Sequence, residues 1–221
     1  MKAAAFDYVK PKALGDALSL LKQGGDDARL IAGGQTLLAT LNMRLSEPSV
    51  LIDITDVQEL KGISVVGDQL RIGALVTHTE IEDSELVAKH VPLLKVAAPH
   101  IAHRAIRNLG TWGGSLAYGD PAAEWPACSL ALQATMIIHG PAGERKISAK
   151  DFFIDLYTTA LEPDEILVAT EIPVAKSNQV FYFHELARRH GDYAVAGLAA
   201  VAQKDGKVLN NCAFTFFSVS S

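Results

Sequence analysis

The sequence predicts an α+β chain: a β–α opening, a middle of hairpins and helices, and a strand-rich end. Three observations carry this. Apolar residues recur at helical spacing in some segments and form short runs bounded by turn residues in others. Glycine, proline and aspartate clusters divide the runs into hairpins. Nearly half of the 221 residues are hydrophobic and 20% are charged, the balance of a well-packed globular protein.

Leu14, Ala17, Leu18, Leu20 and Leu21 mark an amphipathic helix over 13–23 that stops at Gly24-Gly25. A strand over 29–32 runs into Gly33-Gly34, a helical period resumes over 37–44, and 50–54 reads as a buried strand. Segments 62–66 and 69–73 form a hairpin turned at Gly67-Asp68. Helices are expected over 77–81 and 84–103, with Asp83 or Ser84 as cap of the second and Pro92 as an early interruption. A further helix is expected over 121–134, with Pro121 in its first turn. Then come a hairpin over 135–139 and 144–147 and a strand over 165–172 closed by Pro173. After polar residues 176–179 the character changes to strands over 181–187, 194–203 and 208–219. We place a domain boundary near Ser177, with subdomains of about 1–57 and 58–177 before it and residues 178–221 opening a smaller domain.

The net charge of −5 and the absence of a basic block speak against a nucleic-acid surface. Phe6 and Asp7 interrupt the start before a signal-peptide core forms. The longest apolar run, Tyr193 to Ala202, is well short of the roughly 18 residues of a membrane span. Cys128 and Cys212 are far apart in apolar surroundings and read as small hydrophobes in a reducing, cytoplasmic compartment. His100 and His103 have a spacing compatible with a metal but no third ligand, so no metal is expected. Ser115 and Ser129 lack a nucleophile-elbow context.

Two loops carry chemistry. Ala32-Gly33-Gly34-Gln35-Thr36 lies between a strand and a helix, where paired glycines let backbone N–H groups approach a ligand closely. Thr111-Trp112-Gly113-Gly114-Ser115 repeats the diglycine between hydroxyl residues. Either alone is equally a tight connection. As a pair, each can cradle one phosphate of a pyrophosphate, which implies a dinucleotide held across two subdomains. Neither has the G-x-G-x-x-G spacing of a Rossmann nicotinamide site.

The stretches AGGQTLLATLNMRL at 32–45, VLIDI at 50–54, IGALVTH at 72–78 and IRN at 106–108 resemble the flavin subunits of the molybdenum hydroxylases. So do GTWGGSLA at 110–117, DPAAEWP at 120–126 and ARRHGDYA at 187–194. That family includes carbon monoxide dehydrogenase, xanthine dehydrogenase and aldehyde oxidoreductases. The resemblance implies a two-subdomain FAD-binding domain of the vanillyl-alcohol-oxidase/PCMH type, followed by a smaller α+β domain expected to continue several dozen residues beyond Ser221. It places the FAD pyrophosphate on Ala32, Gly33, Gly34, Gln35 and Thr36, flanked by Ile31 and Leu37, and on Thr111, Trp112, Gly113, Gly114 and Ser115. It sets Asp120 and Glu124 toward the ribityl or adenosine part, the Leu167 backbone near the isoalloxazine, and Tyr193 packed by that ring. His184 stands where some relatives carry lysine, which leaves a charged flavin contact there open. Thr36 replaces a commoner serine, Trp112 an aliphatic residue, and Tyr118-Gly119 a frequent His-Ala.

The function implied is electron transfer. Reducing equivalents arise at a molybdenum-pterin cofactor on a large partner subunit and pass through 2Fe–2S clusters on a small one. They reach FAD here and leave to NAD, a quinone or oxygen, in an assembly expected to be a dimer of heterotrimers. No residue of this chain need be a general acid or base. Two other readings stand beside it: a self-sufficient FAD-dependent oxidoreductase of the same fold, and a non-catalytic scaffold that has lost FAD.

Overall fold

The computed structural model describes residues 2–219. Its opening layer consists of β1 (Asp7–Val9), α1 (Leu14–Gly24), β2 (Ala28–Ile31), α2 (Leu37–Asn42) and β3 (Val50–Asp53). The strands are parallel in the order β1–β3–β2, and each connection therefore crosses through a helix. Ala17 and Leu21 of α1 turn onto this sheet.

The middle begins with the hairpin β4 (Ile63–Val66) and β5 (Gln69–Gly73). Six helices follow: α3 (His78–Asp83), α4 (Glu85–His90), α5 (Pro92–Ala97), α6 (Arg104–Arg107), α7 (Trp112–Tyr118) and α8 (Glu124–Ala131). Next come β6 (Thr135–Gly140), β7 (Gly143–Ser148), α9 (Ala149–Phe152), a small ribbon of β8 (Phe153–Asp155) and β9 (Thr158–Thr159), and β10 (Ile166–Pro173). The antiparallel sheet has the order β4–β5–β10–β6–β7. Its faces alternate as a pleat demands. Leu70, Ile72, Met136 and Ile138 face the helices, whereas Ile137, Ile166 and Val168 face the opening layer. A bulge in β10 between Leu167 and Ala169 shifts the register beside the cleft described below.

The last sheet is β11 (Gln179–Ala187), β12 (Ala194–Asp205) and β13 (Val208–Phe217), all antiparallel. Phe183, Ala199, Val201 and Phe217 join the helical core, and Gly197 leaves the space that the Phe217 ring fills. Among the described residues no helix is long and apolar enough to cross a membrane.

Three local expectations change. The helix expected over 84–103 is split into α4, α5 and a 3-10 turn over 98–100, because Pro92 and Pro99 each remove an N–H donor and crowd the preceding turn. Ser84 caps α4, accepting the Val87 N–H at 3.2 Å. The helix expected over 121–134 begins only at Glu124, since Asp120 accepts the Ala122 N–H at 2.8 Å and holds 120–123 in a turn. The diglycine of 113–114 lies inside α7, a helix its composition does not announce. Thr111 caps α7 by accepting the Gly114 N–H, and Gly119, at φ 65°, ends it.

Trp112, fully buried, donates Nε1–H to Thr170 Oγ1 at 2.9 Å and meets Trp125 edge-on at 5.2 Å. Trp112→Phe removes that donor, leaves the buried Thr170 hydroxyl without it, and opens a void. We expect unfolding in urea to show a loss of roughly 2 kcal/mol or more; an unchanged midpoint would contradict the account.

Candidate functional site

The first diglycine bend sits where β2 ends. Gly34 is in the left-handed region at φ 68°, which turns the chain from strand into α2. Among the described residues, the backbone N–H groups of Gly33, Gly34, Gln35, Thr36 and Leu37 meet no protein acceptor. The Thr36 side chain makes no capping bond to α2. A row of free donors at a cleft is the backbone chemistry that suits phosphate. α2 has only six residues, so these N–H groups themselves, more than any summed dipole, supply the attraction.

The second bend is arranged differently. Its amides are already committed: Trp112 N–H to Val76 O at 2.8 Å, Gly113 N–H to Ala74 O at 2.8 Å, and Gly114 N–H to Thr111 Oγ1 at 3.2 Å. The His78 N–H bonds Gly110 O at 3.0 Å, and Thr77 bridges Thr111. One isolated bridge and these hydrogen bonds thus stitch the start of α7 to the segment leaving β5. A Cβ at Gly113 would press on the Ala74 backbone, 2.7 Å from its Cα. Thr111, Gly113, Gly114 and Ser115 line the cleft, and with these amides committed the donors left to the bend there include the two hydroxyls.

The two bends touch. A Cβ on Gly33 would overlap the Leu109 carbonyl oxygen and come 2.9 Å from Gly110 Cα. Between and beyond them opens a cavity of about 490 Å³, within the size range of small-molecule sites. Ala32, Gly33, Gly34, Gln35, Thr36, Leu37, Thr111, Gly113, Gly114, Ser115, Asp120, Glu124, Leu167 and Tyr193 all line it. Three residues expected at the site are not in its wall. Ile31 is the last residue of β2. Trp112 is spent in the core. His184 is exposed on β11, between the inward-facing Phe183 and Glu185, so strand alternation turns it outward. Tyr118, noted in the sequence as a departure from the family, is in the wall, and sequence reasoning gave no site role to other wall residues, notably His78, Glu165 and Gly191.

The wall is held from behind. Arg107, buried on α6, reaches both oxygens of Glu82, at 2.8 and 3.3 Å, and donates to the carbonyls of Ile101 and Ala102 at 2.9 and 3.0 Å. Gly191, at φ 78°, packs on Ala102, and no side chain would fit between them; this seats the turn that carries Tyr193. On the other side Arg145 makes a bidentate pair with Glu165, at 2.7 and 2.6 Å, and also donates to Ala160 O. The paired guanidinium holds the Glu165 carboxyl below its ordinary range.

Two titratable groups in the wall are strongly shifted by burial. His78 donates its backbone N–H as above, while its Nδ1 accepts the Trp125 Nε1–H at 2.9 Å. Burial, aided by the Arg107 charge, lowers its pKa to about 4, so the ring is neutral at physiological pH. Glu124 moves the other way, up to about 7, through loss of hydration and the negative charge of Glu185 and Asp120. Glu185 is itself raised by burial; one of its oxygens lies 3.5 Å from His100 Nδ1 and the other, buried, has no partner.

A cleft with a row of free amides along one lip and hydroxyls along the other defines a binding domain for a phosphate-bearing ligand. Comparison makes the class specific. The family profile described as the FAD binding domain in molybdopterin dehydrogenase matches residues 4–175, and the chain belongs to that family. The chain is 45% identical over 201 residues to the nicotine 6-hydroxylase medium subunit of Paenarthrobacter nicotinovorans, covering 91% of this chain and 70% of that one. It is 38% identical over 215 residues to the carbon monoxide dehydrogenase medium chain of Hydrogenophaga pseudoflava, covering 97% and 75%. The solved carbon monoxide dehydrogenase of Hydrogenophaga pseudoflava superposes with a TM-score of 0.97 over 99% of this chain and 76% of that one, at 38% identity. Quinoline 2-oxidoreductase from Pseudomonas putida 86 does so with a TM-score of 0.95 over 100% and 76%, at 42% identity. The chain is an FAD-binding subunit of the molybdenum hydroxylase type, and thus part of an oxidoreductase.

The raised Glu124 pKa makes a prediction for the ligand-free chain. The folded state holds a proton on Glu124 that the unfolded state releases near pH 4.5, so this contribution to stability is complete below that value and is lost as pH rises through about 7. Glu124→Gln therefore stabilises the ligand-free chain at pH 8, by at most about 3 kcal/mol, and matches wild type at pH 4. Urea unfolding across this range checks it; a difference independent of pH would refute it.

Proposed function

We propose that this chain is the electron relay of a cytoplasmic molybdenum hydroxylase, assembled with a large molybdenum-cofactor subunit and a small 2Fe–2S subunit as a dimer of heterotrimers. Reducing equivalents arrive from the large subunit by way of the small one and leave to an external acceptor such as NAD, a quinone or oxygen. FAD, when bound, supplies the exchange between two-electron and one-electron transfer that side chains lack. The observation that carries the reading is the first bend: five consecutive amides without protein acceptors, in residues that line the cleft where Gly33 meets the Leu109–Gly110 backbone.

The residues fit the cofactor. Gly33, Gly34, Gln35 and Thr36 would hold the diphosphate by backbone N–H and hydroxyl, with Thr111 and Ser115 donating from the opposite lip. Glu124 and Asp120 would take ribityl or adenosine hydroxyls. The Leu167 backbone, beside the β10 bulge, and Tyr193, half out of the cleft, would flank the ring. The chain's work is to bind, orient and exclude water; no proton transfer is asked of it.

Two experiments test this. In the purified native assembly, flavin, molybdenum and iron should all be present and co-elute; flavin without the metals would instead indicate a self-sufficient oxidoreductase, and a colourless folded chain would indicate a scaffold. In the isolated chain, Gly33→Ala should abolish the visible flavin band. The reason is the wedge it drives between the two bends, against the Leu109 peptide, before any ligand is considered. Full flavin retention in that variant would mean the contact between the bends is dispensable.

A further inference from the structure

The proposed cofactor contacts leave one buried group in the cleft wall unused. His78 is 6% exposed, the first residue of α3, and lines the cavity beside Gly110. Its Nδ1 is occupied as the acceptor of the Trp125 Nε1–H at 2.9 Å. In a neutral imidazole that assignment places the ring proton on Nε2. Among the described residues, Nε2 meets no protein acceptor.

Nε2 lies at the junction of the two bends. A Cβ at Gly110 would sit 2.7 Å from it, and Gly33 packs against the same Leu109–Gly110 backbone. Position 110 thus has to be glycine for the imidazole to stand where it does. Trp125, itself fully buried and packed edge-on to Trp112, holds the ring from behind. The result is a donor fixed in tautomer and orientation, with its one free N–H at the place where the bends converge.

We infer that His78 is a ligand-binding residue, whose Nε2–H donates to a diphosphate oxygen of the bound dinucleotide. The inference rests on the flavin reading above and adds a contact to it. The neutrality imposed by burial has a consequence: the ring acts as a directed hydrogen-bond donor, like the backbone amides of the first bend, and adds no full positive charge to the site.

Two substitutions separate binding from packing. Asparagine can place its side-chain oxygen near the Nδ1 position and keep the Trp125 bond, but has no donor at Nε2. Glutamine can reach the Nε2 position with an N–H but gives up the Trp125 bond. Titrating the deflavinated 221-residue chain with FAD, ADP and riboflavin, each variant's thermal midpoint being recorded alongside, distinguishes the two roles. We expect His78→Asn to weaken FAD and ADP together by roughly 10- to 100-fold, with riboflavin, which has no phosphate, unaffected. We expect His78→Gln to bind FAD within about threefold of wild type although it is the less stable of the two. FAD affinity that follows the thermal midpoints, or His78→Asn binding like wild type, overturns the inference while leaving the flavin reading intact. A wild-type chain that takes up no FAD overturns both.

Discussion

Gly33 and the Leu109–Gly110 peptide lie so close that no β-carbon fits between them, and the geometry of the cleft follows from that approach. One partner follows a strand of the opening parallel layer; the other belongs to the helical middle. Because the contact is backbone on backbone, it fixes the distance between the lips more firmly than side chains would. The second bend contributes rigidity: its amides are tied to Ala74 and Val76, next to a strand of the central sheet. The first contributes unspent donors. A single site thus divides its labour between a bend that is anchored and a bend that is available.

Burial determines what the side chains around this contact can do. His78 is driven neutral and Glu124 is driven toward its protonated form, and the same physical cause, loss of water, acts on both with opposite sign for the charge state it penalises. Neutral donors, the free amides of the first bend and the His78 ring, stand where the bends meet, while Arg107 with Glu82 holds carbonyls behind the wall and Arg145 holds Glu165, itself a wall residue, in place. Such an arrangement suits a protein that positions a cofactor.

Much of this was legible in the sequence, and the exceptions have physical reasons. The glycine pairs were readable because two such bends, each beside hydroxyl residues, recur in one chain, and most of the residues tied to them by resemblance do line the cleft. That the second bend spends its amides internally was not, since two of the three acceptors are the carbonyls of Val76 and Ala74, distant in the sequence. His78 looked unremarkable because its tautomer depends on Trp125, 47 residues away, and neither residue signals the other along the chain. His184 went the other way: the resemblance set it where some relatives carry lysine, but the alternation of β11 puts Phe183 and Glu185 inside and 184 out. The helix over 84–103 failed where prolines punctuate it more strongly than its apolar period joins it.

Residue-resolved amide hydrogen exchange, with and without FAD, tests the central claim most directly. The N–H groups of Gly33 to Leu37, free of protein acceptors, should exchange fast in the apo chain and become strongly protected when FAD is added, while those of Trp112 to Gly114, already bonded within the protein, change little. Fast exchange at Gly33 to Leu37 that persists in the FAD-loaded chain would contradict the account.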